Sequence, residues 1–432
     1  MTDIYEIAEY TLEALKKCGA DAAQCIVSKS KKDELNVDGG KFSLMRSTFN
    51  TSISMKAIKD GKKGVTSINQ ATKEAIDEAA AQCISAAQSS VPDEAEQIAP
   101  FTAKAEYKTG VFEPELDKLF DRIEEFMSQT AAEYPKIILE QLISDYEHSE
   151  KLYMNTNGTS LKYEHGEYSF NTMFSAHEGE KASSFNGYFC ALDSLDKPFM
   201  DAGMQRQLLA ESEKQLDTVS PSEKFVGRVI YSPDCFNELL QTALENFASS
   251  GVLIDGTSPW KDALNTKVAS EKLNLRSVPL DGRTVVGQRF TSDGYPVEDM
   301  DIIIDGVLKT FILSQYGANK TGFPRSLNSG NNLEVLPGDK ALEEMISGID
   351  KGLIVNRFSG GQPSSNGDFS GVAKNSFLIE NGKVVSAVSE TMISGNIIDM
   401  LNNIVAVSKE QTTDGLSFMP WAEFDGVTVS GK

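Results

Sequence analysis

Histidine is scarce in this sequence: 432 residues hold three, His148, His165 and His177, all in the first half. Catalytic zinc usually takes three protein ligands, chiefly imidazole with a carboxylate or thiolate, and leaves one position open. The nearest approach to a zinc-helix motif is His177-Glu178, whose partner one helical turn on would fall at Lys181 or Ala182. Tyr168–Glu178 also alternates like a strand, which would send successive side chains to opposite faces. Cysteine is nearly as sparse. The five, at 18, 25, 83, 190 and 235, form no C-x-x-C pair, so reduced thiols in a cytoplasm are expected. Cys18 and Cys83 fall on inner helix faces, where small apolar packing is the usual role. The chain has no G-x-S-x-G elbow and no phosphate-cradling glycine loop, because Gly360-Gly361 and the Gly282–Gly287 stretch lack the lysine and helix start such a loop needs. No apolar run approaches the roughly 18 residues of a membrane helix. The opening MTDIYEIAEY is acidic and amphipathic, unlike the basic and apolar regions of a signal peptide, so no membrane partner is expected.

Acid is what the sequence has in excess. With 63 acidic against 41 basic residues the net charge is −22, a sign that repels nucleic-acid phosphates. The densest basic patch, Lys29 to Lys32, runs straight into Asp33 and Glu34. Nucleic acid is therefore excluded as a partner. So many carboxylates also guarantee chance neighbours. Glu298-Asp299-Met300-Asp301 reads as a solvated approach to the strand Ile302–Ile304.

The length suits two domains of about 200 residues each. In the first, a capped helix over 2–18 is followed by strand-like runs at Ala23–Ser28, Glu34–Met45, Thr51–Lys59 and Val65–Asn69. Gly39-Gly40 marks a turn or bulge within one of these, and Asp60-Gly61 a hairpin. Ala71–Ser89 and Pro114–Glu133 read as amphipathic helices, 136–195 as strands, and Met200–Val219 as a closing helix. Near Ser220-Pro221 the pattern restarts with a strand at Phe225–Tyr231, a helix at Pro233–Ser249 and a long loop at Ser250–Asp262. Strands and tight turns follow, broken by short helices at Lys340–Ser347 and Ile397–Asn403. The expected class is α+β: residues 1–220 as an N-terminal antiparallel sheet with helices packed on it, residues 221–432 as a mostly-β, barrel-like domain.

Several segments of the second half are together distinctive. They are Thr284–Phe290 with Thr291-Ser292-Asp293-Gly294, Asp301–Phe311, Ser314–Gly322, Phe377–Val384 with Val388-Ser389-Glu390, and Ile393–Leu401. Taken jointly they resemble the PmbA/TldD family, once named as modulators of DNA gyrase, and within it the PmbA/TldE-like side. The resemblance implies a two-subunit, cytoplasmic peptidase. A TldD-like subunit carries H-E-x-x-x-H and a late cysteine that hold zinc, and a PmbA/TldE-like subunit completes the peptide channel. Spacing back from Val268-Ala269-Ser270 places the histidine positions at Gln241 and Asn246 and the general base at Thr242. The region of the late cysteine, near Ser408–Gly415, has no cysteine at all.

An amide oxygen is a feeble zinc ligand beside imidazole or thiolate, and a hydroxyl cannot serve as glutamate does toward zinc-bound water. The resemblance thus implies no cofactor in this chain, with zinc in a TldD-like partner and an extended or unfolded peptide as substrate. Strand-edge capture of that peptide points to Gly360 and Gly361, and an amide at a turn to Gly395 and Asn396. Each pair has the alternative of a tight turn needing positive φ. Two other functions stay open: a self-sufficient peptidase active as a homodimer, and a peptide-binding scaffold without hydrolytic activity.

Overall fold

The computed structural model describes residues 2–361, 363–389 and 391–431. Helix α1 (Ile4–Lys17) begins where Asp3 accepts from the N–H groups of Tyr5 and Glu6, both at 2.9 Å, and buries Ile4, Ile7, Ala8, Ala14 and Leu15 along one stripe. Cys18, expected on that stripe, caps the helix and is exposed. Strands β1 (Ala22–Asp38) and β2 (Lys41–Lys59) then form one long hairpin, paired from Ala22 opposite Ile58 to Asp38 opposite Lys41. Its turn is Gly39-Gly40, with φ of 54° and 73°, a left-handed pair that only glycine adopts without strain. The separate runs expected here are therefore continuous strands. Their middle, Ser28–Asp33, hides because neither of its faces is apolar. Asp60-Gly61 makes the hairpin to β3 (Lys62–Ile68), as its sequence signals.

Helix α2 (Lys73–Ser89), capped by Thr72, leads through an extended segment to β4 (Lys104–Gly110) and α3 (Leu116–Glu133). Two long strands follow, β5 (Ile137–Asn155) and β6 (Ser160–Glu178), then the short β7 (Lys181–Ala182) and β8 (Asn186–Leu192). The first sheet runs β3-β2-β1-β5-β6-β4, with β7 and β8 on β6; only the β4–β6 pairing is parallel. Helices cover one face. There α1 and α2 pack on Cys25, Val27, Ile53 and Met55, while α3 brings Leu119, Ile123 and Phe126 onto Leu142, Phe170 and Phe174. The closing helix expected over Met200–Val219 is only α4 (Gln205–Lys214), followed by β9 (Thr218–Val219), which joins the second sheet beside Ala387 and Val388.

The second sheet has 14 strands among the described residues. At its centre β10 (Phe225–Tyr231) pairs in parallel with Lys351–Val355 and antiparallel with Phe418–Ser430. The latter strand also pairs with Thr391–Asn396 and Ile404–Thr413, so the sheet branches there. Helix α5 (Pro233–Phe247) starts at its Ser232 cap and buries Phe236, Leu240, Ala243 and Phe247 against Tyr231 and Phe424. Two short helices went unread in the sequence. One is Ser250–Ile254, within the expected loop; the other is Gln315–Thr321, capped by Ser314 and stopped by Gly322 at φ 78°. The class is the α+β arrangement anticipated.

The cluster under α3 does not stop at residue 220. Ile230, Met345, Ile349, Ile379 and Trp421 belong to the same buried group as Phe126, Phe170 and Phe199. Trp421→Ala should cost about 3–5 kcal/mol. Urea denaturation followed by far-UV dichroism and tryptophan emission should show both halves melting in one earlier transition.

Candidate functional site

Because helices take one face of the first sheet, the other must be wet, and its residues are polar. Along β1 it presents Ser28, Ser30, Lys32 and Glu34, opposite Lys151, Ser149, Glu147 and Asp145 of β5. Lys32 bridges to Asp145 at 3.5 Å and to Glu147 at 3.1 Å. This face looks toward the second half of the chain, and between them lies a cavity of about 920 Å³. Its floor is β1, β2 and β5. Its opposite wall is α5, with Asn237, Gln241 and Glu245 at successive helical turns, together with segments 286–290, 329–333 and 414–417. A volume of this size accommodates several residues of extended peptide.

The degenerate positions from the sequence can now be placed. Gln241 faces the cavity, and its Nε2 donates to Asn237 Oδ1 at 3.4 Å. Thr242 points elsewhere: its hydroxyl donates to the Glu238 carbonyl at 2.8 Å and lines a separate pocket of about 260 Å³. Asn246 is half-buried and lines neither cavity. The late segment near Ser408–Gly415 does meet α5. Asp414 lines the cavity beside Gln241, Asn237 Nδ2 donates to Ser417 Oγ at 3.4 Å, and Asp414 Oδ1 accepts from the Leu416 and Ser417 amides. The donors brought together are amides, a hydroxyl and two carboxylates, Glu245 and Asp414, the second already bonded to backbone, with no imidazole or thiolate among them. They do not fit zinc.

The histidines lie on β5 and β6 and are each engaged. His148 Nε2 is 3.0 Å from Glu164, His165 Nδ1 is 2.8 Å from the Thr109 hydroxyl, and His177 Nε2 is 2.9 Å from the Ser175 hydroxyl. Among the described residues no three His, Cys, Asp or Glu side chains are placed to share a metal ion. Cys235, on α5, is buried, and that burial pushes its thiol up to about 12, so it stays protonated and inert.

Of the glycines offered as peptide contacts, Gly360 and Gly395 pack against aromatic rings, while a Cβ on Gly361 would meet open space. Gly360 lies in a strand opposite Gly371, and the ring of Phe358 covers both: a Cβ would meet its Cζ at 2.6 Å on Gly360 and 2.3 Å on Gly371. Gly395 is likewise in a strand, under the Phe369 ring. None of Gly360, Gly361 and Gly395 has positive φ, so the tight-turn alternative fails for them too. Asn396 offers no exposed amide at a turn. It caps the helix Ile397–Asn402 through the Ile398 N–H and donates to Asn366 O and Asp368 Oδ1, both at 2.9 Å. Gly360 and Gly361 border the 260 Å³ pocket; none of the four lines the large cavity.

A third pocket, of about 410 Å³, lies where β6 and β8 approach the start of α5. Asp234, Glu238 and Arg357 line it, with Asn356 donating to Glu211 Oε2 at 2.6 Å. Burial and then the charge of Asp414 push the Asp234 carboxyl up to about 6.

Two family models match the chain: "PmbA/TldA metallopeptidase C-terminal domain" over residues 224–431 and "PmbA/TldA metallopeptidase domain 1" over 23–87. The chain belongs to the PmbA/TldD family. It is 32% identical over 155 residues to "Metalloprotease PmbA" of Escherichia coli O157:H7, a match covering 35% of this chain and 34% of that protein. It is 28% identical over 220 residues to "Zinc metalloprotease TldD homolog" of Saccharolobus solfataricus, covering 47% and 49%. The match thus spans between a third and a half of these relatives. In fold it is similar to TldE from Thermococcus kodakarensis, with a TM-score of 0.82 at 22% identity over 98% of this chain and 100% of that one. A Bacteroides thetaiotaomicron structure described as a modulator of DNA gyrase gives 0.84 at 23%, covering 100% of both chains. The family-like segment Thr284–Phe290 contributes Val286 to Phe290 to the cavity; Glu390 of Val388-Ser389-Glu390 lies outside the described residues. No helix is long and apolar enough to cross a membrane, among the described residues.

Two outcomes follow from the site geometry. Gly371→Ala should displace the Phe358 ring and cost about 1–3 kcal/mol in urea denaturation, as overpacking does. Asp234 has a raised pKa, so its ionised form opposes folding above about pH 6 and that opposition fades as pH falls toward 3.8. Asp234→Asn should therefore melt higher than the parent at pH 8, with the gap shrinking by pH 5 in paired thermal scans.

Proposed function

We propose that this chain is the metal-free subunit of a two-chain metallopeptidase of TldD/TldE type, working in the cytoplasm and supplying part of the peptide channel. The observation that carries this reading is the donor set on α5 and the 414–417 turn. Gln241, Thr242 and Asn246 stand at the positions the resemblance assigns to the zinc helix; of these Gln241 faces the cavity, and the late segment brings Asp414, and no cysteine, to the same cavity. Bond cleavage is then assigned to a TldD-like partner that carries zinc, and this chain binds and orients an extended peptide. The polar floor of β1 and β5 and the backbone of segments 286–290 and 329–333 suit that task, since peptide groups in a cleft need donors and acceptors along their whole length. Residues 1–220 and 221–432 are proposed as its two domains, with the peptide lying between them. In the absence of the partner, pairing of two copies of this chain is the competing assembly.

The test is metal analysis and peptidase assay of the purified chain, alone and mixed with an H-E-x-x-x-H paralogue from the same genome. Alone, it should hold far less than one zinc per chain and leave unfolded peptides intact. Mixed, the two should co-elute from a sizing column and cleave. Stoichiometric zinc together with hydrolysis by the lone chain would sink the proposal in favour of a self-sufficient homodimer. Co-elution without cleavage would favour a scaffold.

A further inference from the structure

A cation that lines a cavity with no carboxylate beside it is open to an anion from outside. The large cavity contains two that face it from neighbouring walls, Lys151 of β5 and Arg289 of segment 286–290. Neither has a carboxylate oxygen within 4.0 Å among the described residues. The third cation of the lining, Lys29, is occupied with the Thr2 carbonyl. Of the carboxylates that line the cavity, Glu150 pairs with Lys162 at 2.7 Å, Glu147 pairs with Lys32 at 3.1 Å and Asp414 accepts from backbone amides, while Glu245 on the α5 wall has no cation within 4.0 Å among the described residues.

The two cations bracket a pair of aromatic rings. Lys151 stands opposite Tyr163 in the β5–β6 register, and the Arg289 guanidinium lies 5.7 Å from the Tyr163 ring centre. Lys151 Nζ is 5.8 Å from the ring centre of Phe290, the residue after Arg289. Arg289 is held by one nitrogen. Its Nη1 donates to the carbonyls of Pro279 at 2.6 Å and Gln288 at 3.2 Å, and its Nε and Nη2 have no acceptor among the described residues. Burial lowers the pKa of Lys151, with no opposing charge to hold it up. A cavity-facing ammonium and a half-used guanidinium both have donors left over, and one anion would satisfy both.

We propose that Lys151 and Arg289 form a carboxylate-binding subsite in the cavity, selecting peptides that place a free C-terminus or an acidic side chain there. The inference rests on the peptide-cleft reading above and adds a specificity to it. A carboxylate is favoured over a phosphate because Glu147 and Glu150 nearby would repel a more highly charged ligand.

The test uses the full chain and three labelled octapeptides of one neutral sequence: the free acid, the C-terminal amide, and the amide with one internal glutamate. Fluorescence anisotropy at low salt should show an acidic peptide binding about tenfold tighter than the neutral amide, the scale of one charge-assisted hydrogen bond. Which acidic peptide gains names the source of the carboxylate. Lys151→Gln and Arg289→Gln should each abolish the difference between the acidic peptide and the neutral amide, and Lys151→Arg should keep it. Circular dichroism checks that each variant folds, and the two glutamine variants test the site independently. Equal binding of all three peptides by the parent would overturn the subsite and leave the peptide cleft standing. N-acetylglycine, a carboxylate without peptide length, separates the opposite case. If it binds in a Lys151-dependent way while no octapeptide binds, the subsite stands and the cleft reading falls. If nothing binds, both fall.

Discussion

Strands of 17 and 19 residues keep a single register only when a one-residue slip would be ruinous, and here it would be. A slip of β1 against β5 would turn Cys25, Val27, Leu35 and Val37 away from the helices and bring serines, Lys32 and Glu34 into their place. Burial of one face thereby dictates the chemistry of the other. The second face is left with hydroxyls and paired ions, spaced every second residue, and it becomes the floor of the large cavity. Placement of α5 across from it completes the site.

The second half is organised around α5 and the strand Phe418–Ser430 that packs beneath it. Phe236 and Tyr231 meet Phe424 edge to face, at 5.8 and 5.2 Å between ring centres. That contact fixes which face of α5 looks into the core, and so which face presents Asn237, Gln241 and Glu245 to the cavity. The 414–417 turn enters the same strand and is carried to the helix with it. A catalytic relative and a non-catalytic one can share this frame, because the packing does not depend on what the cavity-facing positions carry.

Much of the fold was legible because its signals are local. The Asp3 and Ser232 caps, the Asp60-Gly61 hairpin and the strand at Phe225–Tyr231 need no tertiary information. The middle of β1 was not legible, since alternation of polarity vanishes when one face meets solvent in a cavity and the other meets helix ends. Met200–Val219 misled for a different reason: apolar residues at helical spacing there serve a short turn, a short helix and a strand in succession. Of the candidate site, Gln241, Thr242 and Asn246 were singled out only through family resemblance. The rings that pack on Gly360 and Gly395 were not legible, because a sequence does not tell whether the space a glycine leaves is filled by a guest or by a neighbouring ring. Lys151 and Arg289 gave no signal. Their significance lies in which carboxylates are absent nearby, and that is known only once the cavity is assembled.

The position of Phe418–Ser430 in the chain has a consequence for biogenesis. This strand is the hydrogen-bonding neighbour of β10 on one side, yet it is synthesised after nearly everything else in the second half. A nascent chain would therefore carry β10 with an open edge while most of the second half is translated, together with the uncovered side of α5 that Phe424 later seals. Until that strand arrives, the open edge is a template for pairing with other chains, so changes within Phe418–Ser430 would harm folding far more than the same changes in an exposed loop.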